Sequence, residues 1–377
     1  ITHSSLRNAA NQLAAYRHPQ MGAYVVDIEN VVNQVGYGFH TPETIRQYLR
    51  HAIRSWKTAP RYVTLFGDAT NNPRNLPCVD CPSYWSTDSP TLIVTDLKFV
   101  DRWQGMIPSD FALSLLFGDD LIPDIAISRM PANTNQEAAN MVQKVINYET
   151  QRKEPLPDWQ QNVLFIADDP DEAGDFCHMN DDTAQHIPDT YNKKHLCLET
   201  PSADAINDLR AEMRKQVSDV GLSIMNYRGH GSTANWAGYN NEPPILSKDD
   251  TDFWVNSGRA VVAISADCLD GYFILNHESS LGETFLRLKN RGSVAHWSAA
   301  GLGFPTEHSV LHKGFYDGIF KYNQLALGDA VNFAKIRYYQ TGRHPSELYS
   351  FILLGDAAMK VVPRAAGDLF LPILSRR

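Results

Sequence analysis

No stretch of this 377-residue chain approaches the roughly 18 consecutive apolar residues that a membrane-crossing helix needs. Basic charge is also short. Against 43 Asp and Glu stand 34 Lys and Arg, a formal net charge of −9, which argues against a general nucleic-acid binder, whose basic face must neutralise phosphates. No internal repeat and no low-complexity segment occurs. The chain starts Ile1-Thr2-His3-Ser4-Ser5 with no initiator Met and no apolar signal-peptide core, so a processed or trimmed N-terminus is expected. Cysteine is scarce and odd in number: Cys78, Cys81, Cys177, Cys197 and Cys268. Two disulfides and one free thiol suit an oxidising compartment, and five reduced thiols suit the cytosol. Cys78-Val-Asp-Cys81 lacks the second close Cys/His pair that would complete a four-ligand zinc site.

What is there is a core-forming composition. Apolar residues make up 43% and charged residues 20%, so the chain folds, as two to three domains or as one domain with a large subdomain. Short β-branched runs alternate with helical patterns. Strands are predicted over 23–28, 62–66, 125–128, 163–167, 222–226, 260–265 and 293–297, and helices over 42–56, 136–150, 203–218 and 281–289. Thr41-Pro42 is a helix start, since Thr caps and Pro has no N–H to lose. Ile206, Leu209, Met213 and Val217 form one apolar face behind the candidate cap Ser202. Nearly continuous apolar strands alternating with helices indicate an α/β fold, with mostly parallel sheets flanked by helices. The polar, proline-containing stretch 151–162 is the expected boundary between an N-terminal α/β subdomain, 1–150, and a C-terminal catalytic one, 151–377.

Three local patterns carry chemistry. Asn226-Tyr-Arg-Gly-His230-Gly231-Ser232 closes an apolar strand, and ligands of open α/β sheets bind beyond the carboxyl ends of strands. Glycines on both sides would let the His230 imidazole project into a cleft, where it suits acid–base work near neutral pH. Cys268 follows the next apolar strand, with Gly271 close behind. If those strands neighbour each other, His230 and Cys268 share one edge, as a thiolate and its base must. The acidic loop Asp168-Asp169-Pro-Asp-Glu-Ala-Gly-Asp175 also starts at a strand end. It suits orienting an imidazole, binding calcium through oxygen ligands, or receiving a basic side chain. It lacks the alternating-Asp calcium-loop pattern. Cys268 is expected to be free. Cys177 and Cys197, which bracket a helix-length segment, are expected as a pair. Cys78 and Cys81 are left paired or free.

These pieces together resemble the gingipain family of cysteine peptidases, whose catalytic domain is caspase-like. The likeness runs from about Arg61 to Val362 through Tyr62-Val-Thr-Leu-Phe-Gly-Asp68, Pro123-Asp-Ile-Ala-Ile-Ser-Arg-Met-Pro-Ala-Asn-Thr134, the His230 motif with Trp236, Cys268-Leu-Asp-Gly-Tyr-Phe273, Glu278-Ser-Ser-Leu-Gly-Glu283 and Leu353-Leu-Gly-Asp-Ala-Ala-Met359. The resemblance implies Cys268 as nucleophile, His230 as acid–base, and an oxyanion hole from the N–H groups of Gly231 and Cys268. It implies a carboxylate orienting the His, at Asp168 or Asp169 where relatives have Glu. It further implies Asp175 as the pocket carboxylate and Phe304 near the pocket lid, where Arg-specific relatives have Trp. The expectation is a secreted or surface cysteine endopeptidase acting on protein or peptide substrates, after Arg with Lys as the alternative. No cofactor is required, and calcium remains open. A sortase-like transpeptidase and a non-catalytic scaffold or adhesin domain are the rival readings. The basic end, Ser375-Arg376-Arg377, is what a cut after Arg would leave, whether made by this protein, by another protease or at a trimmed boundary.

Overall fold

Four strands that read as unbroken apolar runs lie side by side in the middle of an eight-stranded sheet. The computed structural model describes residues 1–74, 76, 91–101, 104–151, 157–238, 242–276 and 278–361. In chain order the sheet strands are β1 (Tyr62–Phe66), β2 (Ala126–Met130), β3 (Asn162–Ala167), β4 (Asn192–Cys197), β5 (Ile224–Arg228), β6 (Val261–Ala266), β7 (Ser293–Ala299) and β8 (Phe351–Leu354). Their spatial order is β1-β2-β8-β7-β6-β5-β3-β4. All neighbours run parallel except β7 and β8. Every residue of β3, β5, β6 and β7 is buried, because helices cover both faces. Val163 and Phe165 of β3 join the core formed with Leu311, Phe315 and Leu327. Leu164 and Ile166, pointing the other way, join Ile206, Leu209 and Met213.

Local signals set most helix starts. Thr41 Oγ1 accepts from the Thr44 N–H at 3.2 Å, with Pro42 at the first helical position of Pro42–Ser55. Ser202 Oγ accepts from Ala205 at 3.2 Å and opens Ala203–Lys215. The strand expected over 23–28 does not form. Asp27 instead caps a helix, Ile28–Val35, by accepting from the Glu29 N–H at 3.0 Å. Ile28, Val31 and Val32 then bury at helical spacing, while Tyr24 stays exposed.

Residues 1–150 supply β1 and β2, and the later chain supplies the other six strands. The two parts meet where β8 pairs with β2 at Leu354 and Arg129. Arg129 is fully buried there, its guanidinium bidentate to Asp110 (2.7 and 2.8 Å) and donating to the carbonyls of Gly67, Ile93 and Val94. Lys144, on the helix Asn135–Thr150, donates to the carbonyls of Leu286 and Ser293 at 2.7 Å each. It thereby holds the end of the helix Leu281–Arg287 that follows the Cys268 turn. Burial pushes its ammonium well below the usual lysine value.

Candidate active site

Strand register builds this site. Ala266 of β6 pairs with Arg228 of β5, and Arg228 pairs on its other side with Ala167 of β3. His230 and Cys268 each lie two residues past a paired position, and Asp168 lies one past. Parallel strands end at one edge, so the three loops emerge together, flanked by the turn after β7. Gly229 makes the sharp exit from β5. It has φ +156°, donates its N–H to the Ala266 carbonyl at 3.3 Å, and a Cβ there would fall 2.3 Å from the Asp168 Cβ. Leu269, directly after Cys268, has φ +68°, a sparsely populated conformation for a branched side chain. Its N–H donates to the Gly301 carbonyl at 3.2 Å, which ties the Cys268 turn to the turn after β7.

The imidazole has a carboxylate partner, though not the expected one. His230 Nε2 lies 2.7 Å from Asp171 Oδ2. Asp168 instead accepts from the His230 backbone N–H at 3.1 Å, and the Asp169 N–H donates back to Asp168 Oδ1 at 3.1 Å. Asp171 reaches the ring because the loop folds into a tight turn, Asp171 and Gly174 exchanging backbone hydrogen bonds of 3.2 and 3.1 Å. Slight desolvation pushes the Asp171 carboxyl up, but hydrogen bonds from His230 and the Ala173 N–H hold it below the usual carboxylate range. Phe176 presents its edge to the imidazole at 5.6 Å, and the Tyr227 hydroxyl donates to the His230 carbonyl at 2.7 Å.

Asp168 is buried, and desolvation, with Asp169 adding repulsion, pushes its carboxyl up to about 6 despite two backbone N–H donors. A raised carboxyl makes the folded state bind its proton more tightly than the unfolded state does. The stability this gives is full below about pH 4 and is lost as pH rises through about 6. Asp168→Asn has no charge to bury, but it keeps one acceptor oxygen where the two N–H groups bond different oxygens, a cost that does not depend on pH. Its stability relative to wild type is expected to improve by on the order of 2–3 kcal/mol from pH 4 to pH 8. Thermal unfolding at the two pH values tests this, and an equal difference at both would refute it.

Cys268 is partly buried, its Sγ 4.0 Å from the Gly303 carbonyl oxygen. Desolvation, assisted by the charges of Glu347 and Asp270, pushes its thiol up. Burial thus favours the S–H form of Cys268, and a thiol in such a place needs a base beside it to act as a nucleophile. Beneath the turn lies a polar network that the sequence did not disclose. Asp270 Oδ2 accepts from Trp236 Nε1 (3.0 Å), from His296 Nε2 (2.9 Å) and from the Ser265 hydroxyl. Trp236 stacks on Tyr227 at 4.5 Å, linking this network to the strand that carries His230.

A cysteine turn and a glycine-flanked histidine, locked in register on adjacent parallel strands, now meet a sequence match: peptidase family C25 covers residues 1–362. The chain belongs to that family. It is similar to the Lys-gingipain W83 of Porphyromonas gingivalis, 27% identical over 185 residues that make up 47% of this chain and 10% of the relative. The Lys-gingipain of strain ATCC 33277 is 25% identical over 186 residues. The chain spans about a tenth of the length of these curated relatives. Among solved structures, the Arg-specific cysteine proteinase gingipain R superposes with a TM-score of 0.73, covering 96% of this chain and 77% of that one at 16% identity. The complex of the Porphyromonas gingivalis RgpB pro- and mature domains gives 0.73, 96%, 78% and 14%. At those identities the likeness shows the fold, the caspase-like α/β arrangement of gingipains.

The remaining expected site residues of this C25 chain lie around the same edge. Gly231 is buried, bridged to Trp236 and pressed on Asp267. Asp175 is exposed, and its Oδ1 caps the helix Phe176–Ala184 by accepting from the His178 N–H at 2.9 Å. Phe304 is 69% exposed and precedes Pro305, the first residue of the helix Pro305–Phe320. Cys177 and Cys197 form a disulfide that ties the capped helix to the end of β4, and Cys268 is a free thiol. Cys78, Cys81 and the C-terminal residues 362–377 lie outside the described residues. Among the described residues, no group of three or more His, Cys, Asp or Glu is placed to hold a metal ion, and no helix is long and apolar enough to cross a membrane.

Proposed function

We propose that this chain is a cysteine endopeptidase that cleaves peptides after basic residues, Arg first and Lys as the alternative. The observation that carries the reading is the Arg228–Ala266 register, which brings His230 and Cys268 out of neighbouring strands at the same level. With Nε2 engaged by Asp171, Nδ1 of His230 is the nitrogen that exchanges a proton with the thiol. Cys268 Sγ attacks the scissile carbonyl carbon while its proton passes to His230. The oxyanion is received by the N–H groups of Gly231 and Cys268, donors already held in place. His230 returns the proton to the leaving amine, leaving a thioester. Water, deprotonated by the same imidazole, then releases the acid. Asp171 orients the ring and stabilises its charged form.

A secreted or cell-surface location is part of the proposal, supported by the Cys177–Cys197 disulfide, which persists in oxidising compartments. The basic preference rests on Asp175, whose carboxylate suits a guanidinium fork. Asn caps a helix as well as Asp does, so Asp175→Asn removes the charge and leaves the helix. With the carboxylate exposed to solvent, the variant is expected to lose about tenfold in kcat/KM on an Arg peptide and little on a Leu peptide. The test is a fluorogenic panel differing only in the residue before the scissile bond: Arg, Lys, Asp, Asn and Leu. Preference for Asp or Asn overturns the basic-residue reading, and unchanged Arg cleavage by Asp175→Asn removes Asp175 from the pocket.

A further inference from the structure

The residue before Cys268, Asp267, is 1% exposed, and the nearest hydroxyl, that of Ser265, has its proton on Asp270, which leaves both Asp267 oxygens without a donor of their own. Asp270, three residues on and fully buried, has one oxygen taken by three donors, and its other oxygen, Oδ1, has no donor in full hydrogen-bond geometry, with the Ser298 hydroxyl close to the side chain. The two side chains lie within hydrogen-bonding reach of each other. Two ionised carboxylates have only acceptors to offer, and burying an ion without a donor is costly. One proton between them joins one oxygen of Asp267 to Asp270 Oδ1 and leaves Asp267 only a neutral carbonyl oxygen, far less costly to bury than a carboxylate. Asp270 already has the imidazole of His296 and the hydroxyl of Ser265, so it is the member that stays ionised. Burial pushes its carboxyl up, but His296 beside it holds it below the usual range. Burial and the neighbouring Asp270 drive the Asp267 carboxyl far above that range.

Position gives the pair a task. A Cβ on Gly231 would fall 2.2 Å from Asp267 Oδ2, so the acid is seated directly against the backbone that follows His230. Asp267 thus spans from the Cys268 turn to the His230 loop, and Asp270 anchors it through Trp236 to β5 and through His296 to β7. The other ionisable groups facing it are Cys268 on its own turn and Tyr227 on β5, with Asp168 beyond Tyr227. None of these supplies a cation to compensate a second buried anion.

We propose that Asp267 is a neutral carboxylic acid that donates its proton to Asp270 Oδ1, and that this acid pair is a positioning device holding the Cys268 turn against the Gly231 loop. The proposal rests on the peptidase reading only for its effect on turnover; the protonation state is independent of it. Asp267→Asn replaces the acid by a neutral donor of the same shape, and Asp267→Ala removes the donor. The infrared difference spectrum of wild type minus Asp267→Asn at neutral pH is expected to contain the carbonyl stretch of a protonated carboxylic acid, sensitive to D2O. Asp267→Asn is expected to keep wild-type kcat, while Asp267→Ala loses about a hundredfold in kcat with KM little changed, because the reacting groups are misplaced. Iodoacetamide alkylation of Cys268 should separate the two variants in the same order without requiring turnover. No acid band in the difference spectrum overturns the protonation. An Asn variant as impaired as the Ala variant, or an Ala variant equal to wild type, overturns the positioning role. If wild type cleaves no peptide of the panel, the peptidase reading fails, and the infrared and alkylation results still decide this one.

Discussion

Cys268→Ala is expected to abolish peptide turnover, a fall on the order of 10⁴-fold or more, with the fold intact. The substitution removes one sulfur from a partly buried site, where Sγ lies 4.0 Å from the Gly303 carbonyl oxygen, so little packing is lost. The covalent step, by contrast, loses the free thiol that the described residues offer. Because burial favours the protonated thiol, the proposed mechanism has His230 take its proton during attack. His230→Ala is therefore expected to be nearly as severe, and the double variant no worse than either single one, since the two residues act as a unit. Initial rates on an Arg peptide and circular dichroism of each variant test this. Substantial hydrolysis by Cys268→Ala, or losses that multiply in the double variant, would contradict the dyad.

Gly231→Ala is the second large effect. The added Cβ would sit 2.2, 2.7 and 2.8 Å from Oδ2, Cγ and Cβ of Asp267, a buried side chain fixed on its own turn. The Gly231 backbone must shift, and the N–H proposed for the oxyanion shifts with it. Loss of one such donor costs about 10²–10³ in kcat, and overpacking of this kind about 1–3 kcal/mol of stability. Both losses are expected together, read by steady-state kinetics and thermal unfolding. A variant with wild-type kcat would mean that the Gly231 N–H does not serve the reaction.

The sheet centre and the position of the candidate pair were legible for one physical reason. Strands buried on both faces read as unbroken apolar runs, and polar or glycine residues stand out where those runs stop. That made β3, β5, β6 and β7 readable, and with them His230 and Cys268. β1 and β2, at one margin, were read as well, but β4 and β8 were not. Asn192–Cys197 is an edge strand, half-exposed and carrying two lysines, and Phe351–Leu354 has four residues, too few for a period. The run 23–28 looked like a strand because Val25 and Val26 are β-branched, but the Asp27 side chain satisfied a helix start instead. Within the site, the acidic loop offered four carboxylates in five positions. Only the turn closed by Asp171 and Gly174 determines which of them meets the ring. The Asp267–Asp270 pair was out of reach altogether, since its partners come from β5, β6, β7 and the Trp236 loop.

The central claim is that Cys268 attacks a carbonyl presented by a basic residue. A peptidyl-arginine acyloxymethyl ketone, which is captured only by an activated thiol near a bound Arg side chain, tests it most directly when read by intact mass and peptide mapping. The account predicts one adduct per chain, mapped to Cys268, formed faster than with the leucine analogue and absent from His230→Ala. An unmodified Cys268 in protein that still cleaves Arg peptides would contradict it.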